Sequence, residues 1–458
     1  MCSLHDYDND GVQFITKEDD KVLDEMACKK CSNKAEILLR RKDSYCRDCF
    51  LMGATHKFRA TLGKSKIVRP KDTVLVAYSG SEGSTALLHL IKAGMHELIH
   101  KRLVFKTIVV YIDEGAVTSQ SIEERQANVA KISKEIENLG FIGYAIPLHK
   151  SLEELDETVQ SIKLYKASTE GDDTLSKILN CLTSCTAKEE MIYRLRQRLL
   201  VSVGRQLKCN KIFVADNATK LAIRILSNIS LGRGAQLPLD VGFVDNRFFD
   251  IGILRPMRDF TKEELLGYLM FHKLTVARHS NLSTEKSSYN TLQTLTEKFV
   301  NGLEAEFYGT VSAVFRTGEK LGNATSNDLT NICALCNAPL DTAITDSELC
   351  CIQATAFSQM ISLEGPNDSN NKCDNTENKD TANDGNPDNC TKCHKHKCTT
   401  IELPLFNSEN LKKYLCYGCT LILQDINDPK AISPFLLRVT KKKLHLEKMR
   451  EEISDFLL

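Results

Sequence analysis

The sequence predicts an α/β protein built on a parallel sheet, with a cysteine-rich region before the sheet and another after it. Short apolar runs alternate with segments of helical period between about residues 73 and 230, which is typical of a parallel sheet covered by helices on both faces. Cysteine pairs lie outside this stretch on both sides. A length of 458 residues suggests about three domains.

Four strands and four helices carry this prediction. The apolar runs are rich in β-branched residues and short enough for buried strands, and apolar residues between them recur every three or four positions. The expected strands are TVLVAY (73–78), TIVVYID (107–113), FIGYAIPL (141–148) and KIFVAD (211–216). The expected helices cover about 87–98, 120–139, 186–207 and a segment that ends near 229.

Composition argues against several classes of protein. Sixty Lys and Arg balance 60 Asp and Glu, so any nucleic-acid site must be a local basic patch. No apolar run is long enough for a membrane span, and the start MCSLHDYDNDG has neither the basic nor the apolar part of a secretory signal. We therefore expect a cytoplasmic protein whose 18 cysteines bind metal more readily than they form disulfides.

Two sets of cysteine pairs have the spacing of zinc ligands. The first set has fourteen residues between its C-x-x-C pairs, which predicts a structural zinc ribbon with four thiolates and no open position. The second set has 79 residues between its pairs, so the fold must bring them together. A second metal at Cys350 or Cys351 with Cys390 and Cys393, or an adventitious metal-binding loop ending at Cys398, stays open. The expected zinc ligands are Cys28, Cys31, Cys46 and Cys49, then Cys333, Cys336, Cys416 and Cys419.

A turn of small residues follows the first predicted strand. Its backbone N–H groups, with a helix start behind them, could cradle a phosphate. It lacks the G-K-[ST] ending of a Walker loop, so it is not one. The candidate nucleotide-binding residues are Ser79, Gly80, Ser81, Gly83 and Ser84.

Basic residues form a candidate nucleic-acid surface. The stretch 57–71 has six cations and no acid, and we expect a chain reversal within it that places cations on both sides. Further arginines follow the predicted sheet. Contacts with phosphates from such residues give salt-sensitive affinity without sequence preference. The candidate nucleic-acid contacts are Lys57, Arg59, Lys64, Lys66, Arg69, Arg233, Arg255 and Arg258.

These motifs together resemble a known family. AYSGSEGSTALLHL (77–90) resembles the PP-loop of N-type ATP pyrophosphatases, whose pattern is S-G-G-x-D-S. The segments 213–240 and 253–269 resemble the tRNA-thiolating branch of that superfamily, and the cysteine pairs match its second-subunit family in eukaryotes. The resemblance implies a PP-loop (adenine nucleotide alpha hydrolase-like) fold. It also implies a role in 2-thiolation of the wobble uridine of tRNA-Lys, tRNA-Glu and tRNA-Gln.

The resemblance further implies partners. They are a catalytic thiolation subunit in a heterodimer, tRNA, and a thiocarboxylated ubiquitin-like sulfur carrier.

The departures from the family pattern indicate a degenerate nucleotide site. Ser81 stands where the pattern has its second Gly, and Gly83 stands where it has Asp. The segment 215–220 also lacks the His and second Asp of a G-H-N-x-x-D motif. Loss of a carboxylate removes a group that can hold a metal at the phosphates, so ATP–Mg is not expected on this chain. We assign no catalytic residue; Cys181, Cys185 and Cys209 are interpreted as small core residues.

The domain prediction follows these motifs. An acidic lead-in and zinc ribbon cover 1–62, and a degenerate PP-loop α/β domain covers 63–320. A zinc-binding region covers 321–430, with a disordered insert at about 362–392, and an amphipathic helix covers 431–458. Two other functions stay open at this point: an active ATP-dependent tRNA sulfurtransferase, and a zinc-based protein-interaction adaptor.

Overall fold

The computed structural model describes residues 26–40, 42–96, 102–154, 159–277, 291–321, 332–340, 413–424 and 426–454. The expected insert at 362–392 and Cys350, Cys351, Cys390, Cys393 and Cys398 lie outside the described residues. Within the described residues, no helix combines the length and the apolar character needed to cross a membrane.

The chain begins with a small N-terminal module. Strands β1 (Ile37–Leu39) and β2 (Asp43–Tyr45) form an antiparallel hairpin, and helix α1 (Arg47–Ser65) follows directly. Cys46 is the N-cap of α1, so the second cysteine pair lies at the start of a helix. Helix α1 covers the first half of the stretch 57–71 and continues to Ser65, through the expected domain boundary at 62.

A seven-stranded sheet forms the centre of the protein, as the strand–helix alternation predicted. The five strands in its middle are parallel, and a short antiparallel strand lies at each edge. The strands are β3 (Thr73–Ala77), β4 (Lys106–Asp113), β5 (Ile142–Pro147), β6 (Gln160–Ser161), β7 (Lys211–Phe213), β8 (Val244–Asp245) and β9 (Gly252–Leu254). Their order across the sheet is β6-β5-β4-β3-β7-β9-β8.

Helices cover both faces of this sheet and continue into the C-terminal part of the chain. Helices α2 (Glu82–Met95), α3 (Ile122–Asn138), α4 (Asp172–Asn180), α5 (Cys185–Gln206), α6 (Ala218–Ser230) and α7 (Leu237–Val241) belong to the predicted α/β stretch. Helices α8 (Lys262–His272), α9 (Leu292–Glu306), α10 (Thr310–Glu319), α11 (Tyr417–Ile422) and α12 (Pro429–Ser454) complete the fold. The terminal helix therefore begins slightly earlier than expected.

Alternate side chains of the central strands enter two separate cores. Val74 and Val76 of β3 face one core with helices α2 and α8, whereas Leu75 faces the other core with helix α5. The second core also contains Cys333 and Phe435. This burial on both faces explains why the strands read as continuous apolar runs.

The sheet order fixes where a ligand crevice would lie. From β3 the chain passes to β4 and β5 on one side, and it later returns to place β7 and β9 on the other side. The order reverses between β3 and β7, and open α/β sheets bind ligands outside the carboxyl ends of the strands at such a point. The segments after these two strands are residues 79–81 and 214–217.

Candidate functional site

The turn after β3 has the backbone shape of a phosphate cradle, but its hydroxyl groups bind one another. Gly80 has a φ of 73°, and Ser81 is the N-cap of α2. The Ser79 hydroxyl donates to Ser81 Oγ at 3.0 Å, and the Ser84 hydroxyl donates to the Ser81 carbonyl oxygen at 2.9 Å. The three serines that were expected to surround an anion thus form hydrogen bonds with one another.

Gly83 lies in direct contact with the opposite side of the crevice. A Cβ atom at Gly83 would lie 2.8 Å from the backbone oxygen of Ala215, closer than a carbon and a carbonyl oxygen can approach. Gly83 is the position at which the PP-loop pattern has Asp. The structure therefore has no room for the carboxylate of the pattern while segment 214–217 stays in place.

Segment 214–217 is held in place from both ends. The Val214 amide donates to the Leu254 carbonyl at 3.0 Å, and Asn217 Oδ1 accepts from the Lys220 amide at 2.9 Å as the cap of α6. The Asp216 carboxylate lies 3.5 Å from Arg224 and 3.4 Å from Arg255. Burial alone would raise the pKa of Asp216, but the two arginines outweigh it and lower the pKa.

Three of the arginines expected to contact tRNA are occupied inside the protein. Arg255 is 1% exposed, and its guanidinium donates to the carbonyls of Leu239 and Gly242 at 3.2 and 2.8 Å. Arg233 is also buried, 2.6 Å from Glu190, and Arg258 pairs with Glu319 at the edge of the interior. Their acidic partners lie far away in the sequence, so local sequence patterns do not show that these arginines are buried. We no longer propose these three as RNA contacts.

The cations of the stretch 57–71 have a different setting. Lys64, Lys66 and Arg69 are exposed near the end of α1. Lys57 is half-buried with its Nζ atom 2.5 Å from Glu264, and Arg59 is half-buried on the same helix.

The first cysteine set converges as the spacing predicted. Cys28 and Cys31 flank a tight turn closed by a hydrogen bond from the Cys28 amide to the Asn33 carbonyl at 2.6 Å. Cys46 and Cys49 come from the start of α1, and the sulfur atoms of Cys31 and Cys46 are 3.5 Å apart. All four sulfur atoms lie within 4.8 Å of one another.

The second cysteine set repeats the same local geometry with a much longer connection. The Cys333 amide donates to the Ala338 carbonyl at 2.7 Å, and Cys416 is the N-cap of α11. The sulfur atoms of Cys336 and Cys416 are 3.6 Å apart. A tetrahedral zinc with Zn–S bonds of about 2.3 Å places its sulfur atoms at about this separation, so both sets fit a closed structural zinc site.

The two sites differ in how deeply the protein encloses them. Cys31 is exposed, whereas all four cysteines of the second set are buried in the core shared with helix α5. Arg233 Nη2 donates to the Gly418 carbonyl at 3.1 Å, between two of the cysteines. The second site is thus part of the α/β core, while the first belongs to the N-terminal module.

A buried network of ion pairs lies beside the second cysteine site, and the sequence analysis does not predict it. Arg247 pairs with Asp240 at 2.5 Å and with Asp245 at 2.8 Å, and Arg194 pairs with Glu190 at 3.0 Å. Burial would raise the pKa of Asp240, but Arg247, Arg194 and Arg224 hold that pKa well below its usual range. Charged residues normally indicate exposed positions, so no sequence signal pointed to this network.

Two of the three other cysteines of the α/β stretch are buried in its core, whereas Cys185 is half-buried. Cys181 and Cys209 are buried, and burial raises the pKa of the Cys209 thiol to about 11. A thiol with a raised pKa is a poor nucleophile, since the thiolate is the reactive form. This setting agrees with the interpretation of these residues as small core side chains.

Comparison with known proteins gives consistent matches over nearly the whole chain. A family model described as cytoplasmic tRNA 2-thiolation protein 2 matches residues 291–421. The protein of that name from Danio rerio is 31% identical over 487 residues, covering 94% of this chain and 94% of the relative. Its namesake from Xenopus tropicalis is 31% identical over 499 residues with the same coverage.

A solved structure of lower similarity is the U34-tRNA thiolase NcsA from Methanococcus maripaludis with its [4Fe-4S] cluster. It is 17% identical, with a TM-score of 0.47, and the alignment covers 65% of this chain and 88% of that one.

Proposed function

The chain belongs to the cytoplasmic tRNA 2-thiolation protein 2 family, and we propose that it acts as the non-catalytic or weakly catalytic subunit of a heterodimer with a catalytic thiolase. The family name supports a role in cytoplasmic tRNA 2-thiolation. The finer proposal is that the heterodimer converts wobble uridine 34 of tRNA-Lys, tRNA-Glu and tRNA-Gln to its 2-thio form. The partner would adenylate the uracil and receive sulfur from a thiocarboxylated ubiquitin-like carrier.

The contact between Gly83 and Ala215 carries the non-catalytic part of this proposal. Adenylation needs ATP–Mg seated on the loop after β3, with backbone approaching the phosphates and an acid near the metal. Here Ser81 adds a side chain where the backbone should approach the phosphates. Gly83 supplies no acid, and its contact with Ala215 leaves no room for one. Segment 214–217 lies across the same crevice and is tied by Asp216 and Asn217.

We propose zinc as the metal at both cysteine sets. Four thiolates with no open position make a structural site that can stabilise a fold but has no place for a substrate. The same donor set can hold an iron–sulfur cluster. Elemental analysis with an absorption spectrum distinguishes the two, because zinc has no visible absorption and a cluster absorbs strongly.

The proposed tRNA contacts within 57–71 are the exposed Lys64, Lys66 and Arg69, with Lys57 and Arg59 beside them. Zero net charge suggests that this chain shares the tRNA contacts with its partner and is not the sole tRNA-binding subunit.

Reconstitution tests the proposal. Purified chain, partner subunit and both together are incubated with tRNA-Lys, ATP–Mg and a sulfur donor, and 2-thiouridine is quantified by mass spectrometry. We expect thiolation only with both subunits. Thiolation by this chain alone would establish the active sulfurtransferase instead. If the partner thiolates tRNA equally well with and without this chain, this chain is not an essential subunit. That result would favour the protein-interaction adaptor.

A further inference from the structure

The N-terminal module, residues 26–71, carries an uneven share of the positive charge of the chain. It contains thirteen Lys and Arg against three Asp and Glu. The rest of the chain contains the other 47 Lys and Arg against 57 Asp and Glu. A chain of zero net charge is therefore divided into a module of net +10 and a remainder of net −10. Such a concentrated charge attracts a polyanion over several ångströms.

The structure brings this charge to the surface. Lys30 and Lys34 are exposed on and beside the turn between Cys28 and Cys31, and Arg40 and Lys42 are exposed at the end of the β1–β2 hairpin. Lys64 is exposed on the last turn of α1. The cations thus come from three elements that the first cysteine site holds together.

A cavity lies where these three elements meet. It has a volume of about 210 Å³ and is lined by Lys30, Arg40 and Lys57, with the ring of Tyr45 and the ring of Phe260 in its wall. Lys30 Nζ lies 6.0 Å from the centre of the Tyr45 ring. Cations beside an aromatic wall are the arrangement with which proteins hold an unstacked base and its phosphate.

The acids in the wall of the cavity are already neutralised. Asp43 pairs with Lys29, and Glu264 pairs with Lys57 at 2.5 Å. Lys30 and Arg40 therefore supply the net positive charge of the cavity wall.

We infer that this cavity binds one nucleotide of tRNA, with Lys30 and Arg40 on the phosphate and Tyr45 against the base. The inference rests on the proposed function, which supplies tRNA as the polyanion, and it names residues of the N-terminal module that recognise it. An acidic protein would use the same cations but has no planar base for Tyr45. The experiment therefore includes polyglutamate, which distinguishes an acidic protein from tRNA.

Binding of tRNA to the full chain, measured at several salt concentrations, tests the inference. The charge reversal K30E/R40E is compared with K131E/K134E, which reverses two exposed lysines on α3. We expect K30E/R40E to weaken tRNA binding about tenfold or more and to reduce the salt slope by about one to two. The control should stay within about threefold of wild type. Metal content and melting temperature establish that the variants fold.

The base contact has its own variants. Y45F keeps a ring in the wall and should bind tRNA as wild type does, while Y45L should bind about fivefold or more weakly with an unchanged salt slope.

Three outcomes would overturn the inference. One is equal weakening by both charge reversals, and another is a wild-type chain that retains no tRNA. The third is loss of polyglutamate binding in K30E/R40E while tRNA binding persists, which would assign the surface to an acidic protein. If the reconstituted pair still thiolates tRNA in any of these cases, only the nucleotide site falls and the proposed function stands.

Discussion

The backbone oxygen of Ala215 lies against Gly83 so closely that a Cβ atom on Gly83 would be 2.8 Å from it. This contact joins the two segments that border the crevice between β3 and β7. Under the proposed function, the absence of nucleotide chemistry follows from this packing as well as from the residues. We therefore expect that an acid at position 83 alone does not open the crevice.

Replacement of Gly83 tests this packing. G83A should lower the free energy of unfolding by about 1–3 kcal/mol, because the added methyl group must displace a backbone segment. G83D should be at least as destabilising and should bind no ATP–Mg. Chemical denaturation and isothermal titration measure the two effects.

Gly302 provides the matched control, since it also lies within a helix but has nothing within 4 Å of an added Cβ. G302A should raise stability by up to about 1 kcal/mol, as alanine is the better helix former. A stable G83D chain that binds ATP–Mg would contradict the closed crevice.

The sequence predicted the parallel sheet and the C-x-x-C pairs of each cysteine set, because both depend on short-range patterns. Strands such as Lys106–Asp113 are apolar on both faces, and the C-x-x-C spacing is itself the chelate geometry. The burial of Arg255 and Arg233 could not be predicted in the same way. Their partners lie tens of residues away or more, at Asp216, Glu190 and Gly418.

Removal of one ligand from each cysteine set should have unequal effects. C333S should destabilise the whole α/β core, because Cys333 is buried among the side chains of helix α5. C28S should unfold only the N-terminal module. Hydrogen exchange of β3 and β4 separates the two results, with metal stoichiometry as the check that one site was lost in each variant.

If C28S and C333S expose the central strands equally, the two sites are not enclosed as the structure indicates.

The ion pair of Arg233 predicts a large stability effect. Its guanidinium lies 2.6 Å from Glu190 and donates to the Gly418 carbonyl beside the second cysteine set. R233M should lower the free energy of unfolding by about 3–5 kcal/mol, since removal of one partner leaves buried charge uncompensated. It should also accelerate metal loss to a chelator.

The control is R205M, because Arg205 pairs with Asp250 at the surface, where both side chains are about half exposed. Its cost should stay below about 1 kcal/mol. Similar costs for R233M and R205M would contradict the structural role of Arg233.

His89 predicts a pH dependence of stability. Its Nδ1 atom lies 2.8 Å from the Tyr268 hydroxyl, and the centre of its ring lies 4.4 Å from that of His272, with the two rings tilted by 47°. Burial, with a contribution from His272, lowers the pKa of His89 to about 4. Between pH 6.5 and 4 the unfolded chain binds a proton that the folded chain refuses, so stability falls as the pH falls through this range.

Substitution of His89 removes this contribution. The stability of H89Q, measured by denaturant titration from pH 7 to 4, should fall less steeply than that of wild type. H56Q changes an exposed histidine on α1 and should follow the wild-type profile. Parallel profiles for wild type and H89Q would show that His89 does not carry the proton linkage.

The proposed function requires that this chain does not activate uridine on its own. The most direct measurement is tRNA-dependent release of pyrophosphate from ATP–Mg by the purified chain, in parallel with its partner and with the pair. We expect no release above background from this chain alone and release from the pair. Sustained, tRNA-dependent pyrophosphate release by this chain without its partner would contradict the account.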